Sequence, residues 1–354
     1  MALIGDGHDA EHRWQLVSRR RGATIAEVAQ VLGDEAPAVA SRWAEAAAQL
    51  DPDAVWRRHR DAGIGIATPI SPSYPAVLRA DRAAPSVVFH QGNLDSLAGH
   101  RVAVVGTRDC THYGRDVAYG LGRDLAAAGV SVVSGLALGI DGAAHRGALD
   151  APGGAPPVAV VGCGLDVVYP KRHRDLRDAL GQRGVVLSEH PLGRPPTALH
   201  FPWRNRIIAA LSDVVVVVES HHKGGALHTA READDRGIGV LAVPGPVTSK
   251  ASEGTNAWLS DHPSSVLARD VGDVLVALGL SGPRRTATER RRAPLPAHQQ
   301  VLDAMGWQPA SLEQLALRVP TDLASLAGAL DQLEVDGWVT ARGGWFERVA
   351  RDRC

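Results

Sequence analysis

At 354 residues the chain has room for one large domain and one or two small ones. Its content of 45% hydrophobic and 22% charged residues is that of a globular protein and excludes wholesale disorder. A net charge of −1 excludes a uniformly basic nucleic-acid coat, but not a local basic groove, because a field depends on how charge is distributed. Lysine stands only at Lys171, Lys223 and Lys250, so basic charge rests on arginine, whose planar fork binds phosphate bidentately. Cys110, Cys163 and Cys354 are odd in number and far apart, so neither a disulfide framework nor a structural zinc site is expected. The charged opening residues carry no signal-peptide run. Apolar runs such as Val214–Val218 fall far short of the ~20 residues a membrane span needs. The expectation is a cytoplasmic protein with no membrane contact, no metal and no cofactor.

Residues 1–68 place apolar side chains at helical spacing (Ile25, Val28, Ala29, Val31, Leu32) and read as a small helical region. A proline-dotted stretch follows, leading into Val87–Phe89, a candidate edge strand. From Arg101 short continuous apolar runs alternate with helical segments near 113–128, 141–149, 173–182, 204–211 and 225–236. The runs are Val102–Val105, Val130–Val133, Val158–Val161, Val185–Leu187, Val214–Val218 and Val240–Val243. Continuous runs mark strands buried on both faces, so the alternation predicts an α/β fold, a Rossmann-like doubly wound and mostly parallel sheet over residues 69–280. Residues 281–297 are rich in proline and arginine without periodicity and read as a linker. Residues 298–354 read as helices at 298–305, 311–319 and 322–336, then a hairpin turned at Gly343-Gly344, which is the order of a winged helix.

Candidate chemistry clusters after the strands. Gly106-Thr107-Arg108 follows the first of them, where helix N-terminal amides attract anions and Arg108 can reach a bound phosphate. Ser134-Gly135 and Gly139 form a small-residue loop that lets a ligand approach the backbone. No Gly-Lys-Ser/Thr follows, so it is not a Walker loop. Asp141 and His145, four apart, share a helix face, and a cap plus a packed histidine is favoured over acid–base work. Lys171 follows Tyr169-Pro170 near a helix start. Ser188-Glu189-His190 cannot converge as a hydrolytic triad, because neighbours in an extended segment point to opposite faces. Arg204-Asn205-Arg206, just after Phe201 and Trp203, suits backbone gripping with base stacking. Pairing of these arginines with Glu189 or Glu219 is the competing reading. Gly224-Gly225 opens another main-chain anion cradle.

Together, in this order, VAVVGTR, VSGLALGIDGAAHRGAL, GCGLDVVYP, LSEHPLG, FPWRNRIIAALSDVVVVVE, the GGALHTA loop, AVPGP and EGTN resemble the DprA/Smf family of DNA-processing proteins. The resemblance covers most of residues 70–275. It implies a homodimeric, non-enzymatic protein that binds and protects incoming single-stranded DNA and hands it to the RecA recombinase in natural transformation (competence and DNA recombination). Carried over by position, it puts the phosphate-contacting arginine at Arg108, a polar contact at Lys171 and the Arg-Asn-Arg element at Arg204, Asn205 and Arg206. The family's usual Ser-Gly-Ser loop is Gly224-Gly225-Ala226 here, with two hydroxyls missing. Arg108→Ala and Arg204→Ala are each expected to weaken DNA binding with the fold intact. The alternative is a Rossmann-like nucleotide-binding enzyme of the phosphoribohydrolase type, with Glu219 as the only nearby carboxylate. The helix at 322–336 bears Asp322, Asp331, Glu334 and Asp336 and no Lys or Arg, so phosphate repulsion argues against its entering a DNA groove.

Overall fold

The structure is a computed structural model and describes residues 51–280, 291–306 and 309–349. The helical reading of residues 25–32 lies outside the described residues. Helix α1 (Pro52–Asp61) is capped by Asp51, whose carboxylate accepts from the amides of Asp53 and Ala54. Strand β1 (Gly65–Ala67) and the short helix α2 (Ala76–Ala80) lead to β2 (Val88–Gly92). Then come β3 (Arg101–Val105), α3 (His112–Ala127), β4 (Ser131–Ser134), α4 (Ile140–Asp150), β5 (Val158–Val161), α5 (Arg174–Arg183) and β6 (Val185–Ser188). The second half comprises α6 (His200–Leu211), β7 (Val214–Val217), α7 (Ala226–Asp234), β8 (Gly239–Ala242), α8 (Glu253–Asp261), β9 (Val266–Leu267) and α9 (Val271–Ala277).

All nine strands form one sheet in the order β1-β2-β6-β5-β4-β3-β7-β8-β9. The pairs from β6 through β9 are parallel, while β1–β2 and β2–β6 are antiparallel. Residues 87–89 therefore do not lie at the edge. Strand β2 is covered by β1, which begins at Gly65 inside the segment expected to be helical.

The valine runs lack alternation because both faces are buried. Val102 and Val104 of β3 meet Leu121 and Leu125 of α3 and Ala144 of α4, while Ala103 and Val105 meet the layer built from Ile207, Ile208 and Leu227 of α6 and α7. Each further side chain of Val or Leu size buried this way contributes about 1.5–3 kcal/mol. From β3 the chain winds outward through β4, β5 and β6, then returns to place β7 on the other flank. Helix α3 leaves β3 on one face and α7 leaves β7 on the other, so the carboxyl ends of β3 and β7 open a crevice.

The tail is a separate small unit of α10 (Pro296–Met305), β10 (Ala310–Ser311), α11 (Leu312–Ala316), α12 (Leu323–Val335), β11 (Val339–Arg342) and β12 (Trp345–Arg348). Its sheet runs β10-β12-β11, so the wing has a third strand that the sequence pattern did not announce. Its core includes Leu302, Leu315, Leu326 and Leu330. Arg291 belongs to this unit rather than to a linker. It is buried, stacks 3.7 Å from the Trp338 ring centroid and donates to the carbonyls of Gly337 and Val349. No helix among the described residues is long and apolar enough to cross a membrane.

Helices α3 and α4 pack closely because Gly122 and Gly147 carry no side chain. A Cβ at Gly147 would strike the Tyr119 carbonyl, and one at Gly122 the Ala144 carbonyl. Gly→Ala in a helix normally gains about 1 kcal/mol. Here overpacking against backbone reverses the sign, so Gly147→Ala is expected to lower unfolding free energy by about 1–3 kcal/mol in urea titration.

Candidate nucleic-acid interface

The loops after β3, β4 and β5 and the first turns of α6 surround a cavity of about 120 Å³. Its walls include Arg108, Gly135, Gly162, Tyr169, Phe201 and Arg204. Arg204 forms the floor and is 5% exposed. Its Nη1 donates to the Gly135 carbonyl at 2.6 Å and to the Val160 carbonyl. Burial lowers its pKa to about 10, against the pull of the Asp141 carboxylate. Burial also raises Asp141, which accepts from the amides of Gly135 at 3.1 Å and Ala137 at 3.4 Å. Gly135 is thus pinned through both its N–H and its C=O. A Cβ there would collide with the Arg204 guanidinium. Between the pinned ends Leu136 adopts φ 56, a left-handed conformation that costs a non-glycine residue roughly 1–2 kcal/mol. Its carbonyl accepts from His173 Nδ1 at 3.1 Å. Gly139 has φ 77 and approaches the carbonyls of Thr107 and Arg108 too closely for any Cβ. Asp141 is therefore a loop anchor, and His145 is a buried packing residue beside it.

Arg108 stands at the mouth, exposed, with its guanidinium carbon 4.8 Å from the Phe201 ring centroid. Phe201 stacks on Tyr169 at 5.4 Å. No carboxylate pairs with Arg108 among the described residues. Lys171 is exposed and directly follows Pro170 of the cavity wall.

The remaining residues expected at the site lie elsewhere. Helix α6 begins at His200, so Phe201 and Trp203 are on the helix and not ahead of it. Successive helical residues diverge by about 100°, and Arg204, Asn205 and Arg206 consequently face three partners. Arg206 is buried and pairs bidentately with Glu189, at 2.7 and 3.3 Å. Asn205 donates to the Gly225 carbonyl at 3.3 Å, which ties α6 to the start of α7. Gly224 and Gly225 do not line the cavity. Ser134 is buried and its hydroxyl donates to the Val104 carbonyl at 2.7 Å. Gly106 and Thr107 join β3 to β7, with the Thr107 amide on the Glu219 carbonyl at 2.8 Å. Ser188 and Glu189 bond to Cys163 and Arg206, and His190 stacks on His200 at 4.1 Å, so the consecutive trio does not converge. Tyr169 is the wall residue whose role the sequence hid, since its proline neighbour reads only as a turn. Among the described residues no group of three or more His, Cys, Asp or Glu could hold a metal ion.

The model of the DNA recombination-mediator protein A family matches residues 65–279, and that of the DprA winged helix domain matches residues 285–344. The chain belongs to the DNA recombination-mediator protein A family. It is 36% identical to Protein Smf of Escherichia coli over 287 residues, covering 78% of this chain and 75% of that one. A crystal structure of DNA processing protein A from Streptococcus pneumoniae superposes with TM-score 0.62 at 32% identity, over 77% of this chain and 98% of that one. A structure of the Helicobacter pylori protein, described for its single-stranded DNA binding mode, gives 0.53 at 28% identity, over 61% of this chain and 95% of that one. Family membership makes this a DNA-processing protein with a Rossmann-like domain and a winged helix.

Arg204 is a structural cation as well as a cavity wall, which corrects the expectation that its removal spares the fold. Removing it leaves Asp141 buried without its counter-charge. Arg204→Ala is expected to lose about 3–5 kcal/mol of stability, whereas Arg108→Ala stays within about 0.5 kcal/mol, by chemical denaturation of both. His190 supplies a pH signature. Both ring nitrogens are buried without hydrogen-bond partners, and burial lowers its pKa to about 4. The unfolded chain takes up a proton below about pH 6.5 while the folded chain does not, so stability falls as pH drops from 6.5 toward 4. Between pH 6.5 and 5 this residue removes about 2 kcal/mol. The His190→Phe variant should show a shallower loss over that interval in urea titrations at stepped pH.

Proposed function

We propose that this protein binds single-stranded DNA by its phosphate backbone at the Arg108 cavity, without turnover. The observation that carries the reading is Arg108 itself, an exposed cation over Phe201, which in turn stacks on Tyr169, at a main-chain-lined cavity with a buried guanidinium in its wall. A phosphate meets a fixed positive floor and an exposed positive rim, and an unpaired base meets an aromatic face. The description of the Helicobacter pylori relative supports the strand chemistry. In the cell the protein protects incoming strands in the cytoplasm and passes them to the RecA recombinase during natural transformation, acting as a homodimer. Helix α12 exposes Asp331 and Glu334, which suits the winged helix to protein contacts rather than to a DNA groove. An enzymatic role for Glu219 has less support, because Gly224-Gly225 has neither the preceding Pro nor the following Gly-Thr of the phosphoribohydrolase-type loop.

Fluorescence anisotropy of a labelled oligothymidylate at several salt concentrations tests this. Arg108→Ala should weaken binding about tenfold and reduce the salt slope by roughly 1. Phe201→Ala should cost about 1–3 kcal/mol of binding free energy with little change in slope. Wild-type affinity in both variants would remove the site.

A further inference from the structure

The crevice between the carboxyl ends of β3 and β7 holds a second cavity, of about 650 Å³, that shares no lining residue with the first. Its size is that of a small-molecule site. Glu219, 2% exposed, lies at its Rossmann side. The carboxylate accepts from the Thr111 hydroxyl at 2.5 Å and the Thr111 amide at 2.9 Å, and a carboxylate can accept about four such bonds. The opposite wall is the wing of the winged helix, through Trp345, Glu347 and Arg348. Trp345 is 47% exposed there. Glu347 lies 3.6 Å from His112 of α3, so the wing approaches the Rossmann-like domain there. Tyr113, Pro244 and Pro309 add flat apolar surface.

This lining differs in kind from the Arg108 cavity. It offers carboxylates from both domains against the single cation Arg348, so it disfavours a phosphate group. It favours a flat ring that donates N–H groups. The occupant must be planar to lie between Trp345 and the Tyr113 side, and it must present an amino edge to the carboxylates. Adenine, cytosine and guanine have that edge, and thymine presents O4 in its place. Glu accepting from a base amino group is a standard recognition pairing.

We propose that this interdomain cavity is a nucleobase site, in which Glu219 and Glu347 accept the exocyclic amino group and Trp345 supplies the stacking face. The base comes either from a free nucleoside or from an unpaired nucleotide of a bound strand. The inference does not rest on the Arg108 reading, since the free-nucleoside case needs no strand.

Two titrations of the full chain distinguish the sources. In one, deoxycytidine, deoxyadenosine and thymidine are titrated calorimetrically. In the other, oligodeoxycytidylate and oligothymidylate of equal length are compared by anisotropy. The amino-bearing base should be favoured about tenfold in at least one arm, the discrimination of one good base-edge pairing. Preference in the nucleoside arm identifies a free ligand, and preference in the oligonucleotide arm alone identifies a base of the strand. Glu219→Gln should abolish the preference. Trp345→Ala, on the exposed wing, should lower affinity for the amino-bearing base and decides the matter if the buried Glu219 variant fails to fold. No base preference in either arm, or an affinity for the amino-bearing base unchanged in Trp345→Ala, overturns the proposal. Strand binding that needs Arg108, with no base preference in either arm, would sink this inference alone. Nucleoside binding without any strand binding would sink only the Arg108 reading.

Discussion

The buried guanidinium of Arg204 is the constraint on which the candidate interface depends. One side chain on α6 reaches across two parallel strands and donates to carbonyls at the ends of β4 and β5. Asp141, at the start of α4, holds the same loop from its amide side. Two elements that follow different strands are thereby fixed to a single residue, Gly135. That clamp explains how Leu136 stays in a left-handed conformation that a free loop would relax. It also explains why the cavity exists before any ligand arrives. A phosphate entering it meets groups already held in place, so less ordering entropy opposes binding.

Charge economy in this region follows from the same arrangement. The protein is nearly neutral overall, and several of its strand-end arginines are consumed internally. Arg206 neutralises Glu189, and Arg101 pairs with Asp213 at 2.9 Å. Arg108 escapes this fate: no carboxylate pairs with it among the described residues, and its guanidinium lies over the Phe201 ring. An aromatic face under a guanidinium orients it without cancelling its charge. The result is a small, directional field at one mouth and not a basic surface, which accords with the net charge of −1.

The strands and their helices were legible in the sequence because a two-sided parallel sheet writes itself as uninterrupted valine runs. Val102–Val105 and Val214–Val217 lie where those runs placed them. Strand β1 was not legible, since Gly65–Ala67 is too short and too weakly apolar to show a period. The site was half legible. The place of Arg108 at the mouth of the strand-end loop could be read, because it closely follows β3 in sequence. The Arg-Asn-Arg element could not, because its reading depends on where α6 begins. Three adjacent residues look like one patch in a string, yet on a helix they address the sheet, α7 and β6 separately. The helix starts at His200, and Phe201 in its first turn packs on Tyr169, a contact between residues 32 positions apart that no local pattern encodes.

The winged helix takes its meaning from the same separation of charges. Its acidic helix α12 faces solvent through Asp331 and Glu334, while its wing turns Trp345 and Glu347 toward the crevice between β3 and β7. Here the indole borders a cavity, and a carboxylate sits beside another carboxylate. Burial and the neighbouring Glu347 together push the Glu219 carboxyl above its ordinary range. Holding like charges at one interface is unfavourable unless something between them donates hydrogen bonds. A hydrogen-bond donor placed in that cavity would relieve the repulsion and so favour the docked position of the wing.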